Sequence, residues 1–293
     1  MSTPSLTPVS TSSDGVLSDE SGSVVVKPCT AREVAFYEAA LAHPKFAFWM
    51  PTFFGTLTAD DSVTAAVEAA AVDAATTGTP VTHNRHSSLV LQNLTYGFEK
   101  PCVLDAKLGA QLWDELAPQE KRDRLDAVSD ATTSRSLGFR VAGMKVWKGE
   151  KEGYQVYDKH YGRVFTAENV IDAIKEYFIS ELTPEQVKVV AQRFLGKVGD
   201  IREALEGQES RMYSASLLFV FEGDNKAFDR ALEDEKNRKP KVEDDEGDDE
   251  NTKKVEELKL IDFAHANWTP GQGPDENALR GVRSIEKLLA QLI

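Results

Sequence analysis

The chain has 293 residues, 41% of them hydrophobic and 9% aromatic, which is enough apolar material for one large core or two modest ones and excludes wholesale disorder. Its 48 acidic and 34 basic side chains give a formal charge of −14, which excludes a protein that coats nucleic acid or an anionic membrane with its whole surface. No apolar run reaches the ~18 residues of a membrane span, the N-terminus lacks the basic start and apolar run of a signal peptide, and Cys29 and Cys102 are too few for a disulfide framework, so a soluble chain in a reducing compartment is expected.

Residues 1–23 hold eight Ser, three Thr and two Pro but no Lys or Arg, and are read as a disordered tail. Val24, Val25 and Val26 then form a short strand that carries Lys27 and stops at Pro28. The helix expected over residues 31–42 sets Val34, Tyr37 and Leu41 on one face, with Glu33 on a neighbouring stripe. Asp60 and Asp61 are placed to cap an Ala-rich helix running to Ala75, whose small side chains mark it as an insertion. Residues 88–94 (SLVLQNL) alternate like a strand, and residues 101–108 (PCVLDAKL) are expected to pair with them across a turn at Gly97.

A helix over residues 118–128 has a basic face bearing Lys121, Arg122 and Arg124. Residues 138–147 (GFRVAGMKVW) alternate as a strand, which sends Arg140 and Lys145 to opposite faces. Val170, Ile171, Ile174 and Phe178 recur at helical spacing. Thr183, Pro184 and Gln186 then supply the cap, first-turn proline and capping-box partner of a longer helix with the stripe Val187, Val190, Phe194, Val198, Ile201 and Leu205. Strands over residues 216–221 and 258–263 flank an acidic segment, and a helix with Leu279, Val282, Ile285, Leu288, Leu289 and Leu292 closes the chain. This order predicts an α+β protein with two lobes, a cleft between them and a junction near residues 92–98.

The charge is unevenly spread. Residues 233–257 contain twelve acids and six bases, whereas residues 100–163 contain twelve bases and ten acids. A local cationic site in the middle of the chain is therefore compatible with the acidic total.

The chain has no GxxxxGK[ST] phosphate loop, GxGxxG, HExxH or GxSxG, which removes P-loop, Rossmann, zinc-hydrolase and serine-hydrolase readings. Carboxylates beside lysines remain. Asp105 and Lys107 lie two apart on an extended segment and share a face at the mouth of the expected cleft. Asp262 ends an apolar strand before Phe263, where a nucleotide kinase holds a carboxylate against magnesium. Lys27, followed by helical Glu33, has the makings of a lysine and carboxylate pair that positions nucleotide phosphates.

PCVLDAKLG fits the PxxxDxKxG signature of the inositol polyphosphate kinases, and the chain also resembles that family at SLGFRVAGMKVW, HYGR, SASLLFVFEGD and LKLIDFAH. The resemblance runs from Val24 to the C-terminus, and the IDFAH ending and short basic helix look most like the fungal, arginine-regulation type of inositol polyphosphate multikinase. It implies a two-lobed fold with protein-kinase-like nucleotide-binding lobes and an inserted inositol phosphate-binding helical segment. The domain would cover residues 24–293, with an N-lobe over 24–94, a C-lobe over 95–293, the substrate helix within 115–135 and a disordered acidic loop over 232–257.

Carried across by resemblance, Lys27 is similar to the nucleotide-phosphate lysine and Glu33 to its helix partner. Gln92, Asn93 and Leu94 sit where the family has an adenine-binding hinge, although an acidic residue is usual near the first position. Asp105 resembles the signature aspartate, open to ribose contact or to orienting the acceptor hydroxyl, and Lys107 the catalytic lysine. Lys121, Arg124, Arg163 and His265 resemble inositol phosphate contacts. Asp262 resembles the magnesium ligand. Ser216 belongs to the SLL motif beside the metal, with Ala215 where another serine is frequent.

The resemblance implies ATP and Mg2+ as cofactors and inositol tris- and tetrakisphosphate as acceptors. An inositol hexakisphosphate kinase is the rival enzyme, and a scaffold in a transcription complex, with transcription-regulator partners, is the non-enzymatic one. No direct nucleic-acid partner is expected. KNRKPK at residues 236–241 resembles a nuclear import signal, so nucleus and cytoplasm are the expected locations.

Overall fold

The computed structural model describes residues 7–8, 16–58, 87–238 and 252–293. β1 (Thr7–Pro8), β2 (Leu17–Ser18), β3 (Val24–Pro28), β4 (Phe53–Thr58) and β5 (Ser87–Gln92) form one antiparallel sheet in the order β1-β2-β3-β5-β4. Between β3 and β4 the chain makes α1 (Ala31–Ala40) and α2 (Pro44–Ala47). β6 (Pro101–Leu108), β7 (Phe139–Trp147), β8 (Tyr154–Tyr157), β9 (Ser210–Met212), β10 (Ser216–Glu222), β11 (Glu256–Ile261) and β12 (Ala266–Trp268) follow. Five of these build a second antiparallel sheet, β11-β10-β6-β7-β8, and β9 pairs with β12. The accompanying helices are α3 (Gln119–Asp130), α4 (Thr133–Leu137), α5 (Lys159–Gly162), α6 (Val170–Phe178), α7 (Pro184–Glu206), α8 (Asn225–Asn237) and α9 (Glu276–Leu289). None of the described helices is long and apolar enough to cross a membrane.

Alternation along β6 divides the second sheet into a core face and a cleft face. Cys102, Leu104, Ala106 and Leu108 are buried, while Val103, Asp105 and Lys107 project from the opposite side. Leu104 and Ala106 pack with Ile174 and Tyr177 of α6, Phe219 of β10, and Ile285 and Leu289 of α9. Each large side chain buried in this way stabilises the fold by about 1.5–3 kcal/mol. α7 starts as its sequence predicts: Thr183 Oγ1 accepts from Gln186 N–H and Gln186 Oε1 accepts from Thr183 N–H, which satisfies two otherwise orphaned donors.

The two sheets are joined by an aromatic stack. Phe36 of α1 lies 5.1 Å from Phe263 and 4.9 Å from Trp268, centroid to centroid, and Leu260 N–H donates to Trp49 O at 2.7 Å. This packing brings α1 and β3 over the end of β11.

Several expectations need correction. Residues 88–94 and 101–108 do not pair: β5 lies between β3 and β4, whereas β6 lies between β10 and β7, so the intervening residues pass from one sheet to the other instead of closing a hairpin. The buried side of α1 is Glu33, Phe36, Tyr37 and Ala40, and Leu41 is 75% exposed, because the helix turns its aromatic residues to the inter-sheet stack. The tail boundary at residue 23 is too late, since Leu17 pairs with Val26 and is buried. The start of the acidic loop at 232 falls inside α8, whose N-cap Asp224 accepts from Ala227 N–H, and its end falls inside β11. The helix expected over residues 60–75 and the central part of the acidic segment, residues 239–251, lie outside the described residues.

Arg140 and Lys145 are also not on opposite faces. The register opposite β6 shifts between Asp105–Gly143 and Ala106–Val141, leaving Ala142 as an extra residue. This bulge advances the alternation by one, and the burial pattern puts both basic residues on the less buried, cleft side.

Candidate active site

Lys27 Nζ donates to Glu33 Oε1 at 3.1 Å and to Asp262 Oδ1 at 2.8 Å. Glu33 is 1% exposed, and α1 presents it because Thr30 caps the helix through Glu33 N–H. Burial by itself would lower the Lys27 pKa, but the Asp262 and Glu33 carboxylates outweigh it and hold the ammonium well above its ordinary range. Asp262 follows β11 with φ 66°, a left-handed conformation that turns the chain sharply at the strand end. Burial pushes its carboxyl up, yet Lys27 and Lys107 together hold it well below the usual carboxylate range. Its Oδ2 lies 3.7 Å from Lys107 Nζ.

Register across the second sheet sets the remaining groups. Ser216 of β10 is opposite Lys107, and Lys107 Nζ donates to Ser216 Oγ at 3.2 Å and to Ser214 O at 2.8 Å. Asp105, two residues earlier, is opposite Leu218 on one side and Gly143 on the other. Its Oδ1 is buried without a hydrogen-bond partner among the described residues. Burial raises the Asp105 pKa, Lys107 opposes that shift and the Asp262 charge adds to it. A buried orphan acceptor of this kind is completed by a hydroxyl or a cation supplied from outside the chain.

Lys27, Asp105 and Asp262 line a cleft of about 540 Å³. Val16, Val25, Leu91 and Leu94 form one end of it and Lys27, Asp105 and Asp262 the other. That volume and its mixture of apolar wall and converging charge suit a small polar ligand with a flat apolar part. At the junction, Gln92 N–H donates to Thr52 O and Asn93 N–H to Ser23 O, while Leu94 N–H has no acceptor among the described residues. The Gln92 and Asn93 N–H groups are thus taken up by the protein's own carbonyls, and that of Leu94 is left for a ligand.

A second cluster lies beside the first. Asp114, 5% exposed, accepts from Arg32 at 2.7 Å and lies 2.8 Å from His265 Nδ1. Arg32 also donates to Asn267 Oδ1 at 2.7 Å. His265, three residues beyond Asp262, thus has its ring fixed by one nitrogen while the other has no bond among the described residues.

Residues 88–290 match the family model described as inositol polyphosphate kinase. The chain belongs to the inositol polyphosphate kinase family. It is 34% identical to an inositol polyphosphate multikinase of Saccharomyces cerevisiae over 93% of each chain. It is 31% identical to one of Schizosaccharomyces pombe over 95% of this chain and 93% of that one. The fold superposes with a TM-score of 0.73 on the crystal structure of the inositol phosphate multikinase Ipk2 from S. cerevisiae in complex with ADP and Mn2+, at 33% identity, covering 92% of this chain and 99% of that one. The two-lobed α+β fold of the family is therefore the fold of this chain.

For this family member the structure places Lys27, Asp105 and Asp262 on the same cleft as Gln92, Asn93 and Leu94, with Glu33 bonded to Lys27, Lys107 beside Asp262 and Ser216 bonded to Lys107. It sets His265 beside them through Asp114. Lys121 and Arg124 form no hydrogen bond or ion pair with the described residues, and Arg124 is exposed on α3. The basic residue of α3 that does pack is Arg122, which donates to Ala117 O and Glu115 O and stacks on Trp113. Ser216 Oγ accepts from Lys107 and so holds that lysine.

Three further residues escaped the sequence reading. Arg32 and Asp114 have no spacing signal, because their partners are 82 and 151 residues away from Asp114. Val16 was hidden by the Ser-rich composition around it. A divalent metal fits the site: Asp262 supplies a hard carboxylate oxygen facing the cleft, and such cations take few protein ligands when phosphates complete the shell.

Proposed function

We propose that the chain is an ATP- and magnesium-dependent kinase that transfers the γ-phosphoryl group to hydroxyls of inositol trisphosphate and inositol tetrakisphosphate. The observation that carries this reading is Asp262 held between Lys27 and Lys107, in the same cleft as the orphan oxygen of Asp105. The two multikinase relatives that cover almost the whole chain support the acceptor class.

Phosphoryl transfer needs alignment and fixed positive charge more than a covalent nucleophile. Lys27, braced by Glu33, would hold the nucleotide phosphates. Asp262 would hold the cation, which when bound neutralises charge on the β- and γ-phosphoryl oxygens. Lys107, fixed by Ser214 O and Ser216 Oγ, points the same way and would stabilise the transferring group. Asp105 Oδ1 would accept a hydrogen bond from a ribose or acceptor hydroxyl. Arg32 and His265 would face ring phosphates on the acceptor side.

A product-resolved assay with labelled ATP and each inositol phosphate tests the reading. Tris- and tetrakisphosphate should both be consumed; turnover of hexakisphosphate alone would overturn it in favour of the hexakisphosphate kinases. A nuclear and cytoplasmic location rests on the basic cluster at residues 236–241, and imaging a tagged chain with those lysines replaced tests it.

A further inference from the structure

Arg140 forms no ion pair among the described residues. It stands on β7 directly opposite Lys107, and the bulge at Ala142 keeps it on the cleft face. Across the second sheet the row reads Ile261, Ser216, Lys107, Arg140, with Asp262 following Ile261, so Arg140 is one strand beyond Lys107 on the side away from Asp262. A guanidinium offers five N–H donors. Only one bond is formed among the described residues, from NH1 to Ser134 Oγ at 3.0 Å, and there is no ion pair.

A second guanidinium is brought up to it. Gly162 ends α5 so close to β7 that a Cβ there would sit 1.9 Å from Val141 O, and this contact seats the following residue, Arg163, next to Arg140. Burial, then the like charge of Arg163, lowers the Arg140 pKa to about 10, with the Asp105 charge opposing, so Arg140 remains protonated at neutral pH. Two adjacent cations, one half-buried, repel each other until an anion sits between them. Planar guanidinium forks are matched to phosphate oxygens.

We propose that Arg140, with Arg163, binds one ring phosphate of the acceptor on the side of Lys107 opposite to Asp262. The inositol phosphate then spans two groups of donors, Arg32 and His265 at one side and Arg140 and Arg163 at the other, with the reacting hydroxyl at Lys107. This rests on the proposed acceptor class and adds a specificity-determining residue to it.

The test compares the unaltered chain with Arg140→Met and Arg140→Lys by steady-state kinetics and by calorimetric binding of inositol tetrakisphosphate. Loss of a charge-assisted bidentate contact predicts an acceptor KM and Kd raised about 10- to 100-fold in the Met variant, a smaller rise in the Lys variant, and an ATP KM within about twofold of the original. An unchanged acceptor Kd in either folded variant overturns the proposal, as does a rise in ATP KM without a rise in acceptor KM, which would make Arg140 a counter-charge to Asp105. If Arg140→Met fails to fold, the Lys variant and Arg163→Ala decide by the same readout. Binding without turnover in the unaltered chain would sink the kinase reading and leave the phosphate site standing; turnover with an indifferent Arg140 would do the reverse.

Discussion

Lys27 and Asp262, 235 residues apart in sequence, meet at 2.8 Å, and this ion pair ties the first sheet to the second at the cleft. Because Asp262 adopts φ 66°, Asp262→Asn keeps a residue tolerant of that backbone while removing the charge, whereas Asp262→Ala also introduces strain. Both variants should lose phosphoryl transfer by about 10²- to 10³-fold, the scale of a lost electrostatic contact to a transition state. Both variants should lower the melting temperature through the lost ion pair, the Ala variant by more. Kinetics and thermal melts on the pair check this, and a fully active Asn variant would remove Asp262 from the reaction.

Asp114 should control the acceptor side without touching the nucleotide. Burial pushes its carboxyl up, but His265 and then Arg32 outweigh burial and bring it below its ordinary 3.8. In the window between the lowered folded value and 3.8 the unfolded chain binds more protons, so the contribution of Asp114 is complete above that window and is lost as pH falls through it. Asp114→Asn should therefore cost about 1–3 kcal/mol of stability at neutral pH, with a gap that narrows in strong acid. It should also raise the acceptor KM and leave the ATP KM alone. Urea unfolding across the pH range, with kinetics for both substrates, reads out each half.

Gly162→Ala tests how tightly α5 is seated. With Val141 O only 1.9 Å from the position of an added Cβ, α5 has to lift off β7, carrying Arg163 with it. Overpacking of this kind costs about 1–3 kcal/mol. The variant should melt lower and bind the acceptor more weakly; an unaltered melting temperature would show that α5 is loosely held.

Much of this was readable from local chemistry. The Thr183 capping box and the alternation in β6 are short-range signals that formed where their residues predict, while the strand expected over 258–263 runs two residues earlier, Glu256–Ile261, and leaves Asp262 just beyond its end. What composition and spacing could not carry were pairings set by tertiary packing. Alternation in residues 88–94 and 101–108 is equally compatible with one sheet or two, and the aromatic stack around Phe36 decides for two. A one-residue bulge at Ala142 reverses every later side-chain direction in β7 and leaves no mark in the residue types. Asp114 looks like any loop acid until Arg32 and His265 are brought against it.

The strand at Leu17–Ser18 gives the last expectation, because a Ser-rich stretch here builds part of the cleft wall. Leu17 is 3% exposed, packs with Val26 and Leu57, and is opposite Val26 in the sheet, so it pins Val16 where that side chain lines the cleft near Val25, Leu91 and Leu94. Leu17→Asp places a charge among apolar neighbours and should release this segment, at a cost of about 1.5–3 kcal/mol from the lost burial alone. Deleting residues 1–18 removes the same wall without adding a charge. Both changes should raise the ATP KM about fivefold or more, the effect of losing one apolar contact face of the ligand, and leave the acceptor KM near its original value. Fluorescent-nucleotide titration separates binding from turnover, and an unchanged nucleotide Kd in the deleted chain would take Val16 out of the site.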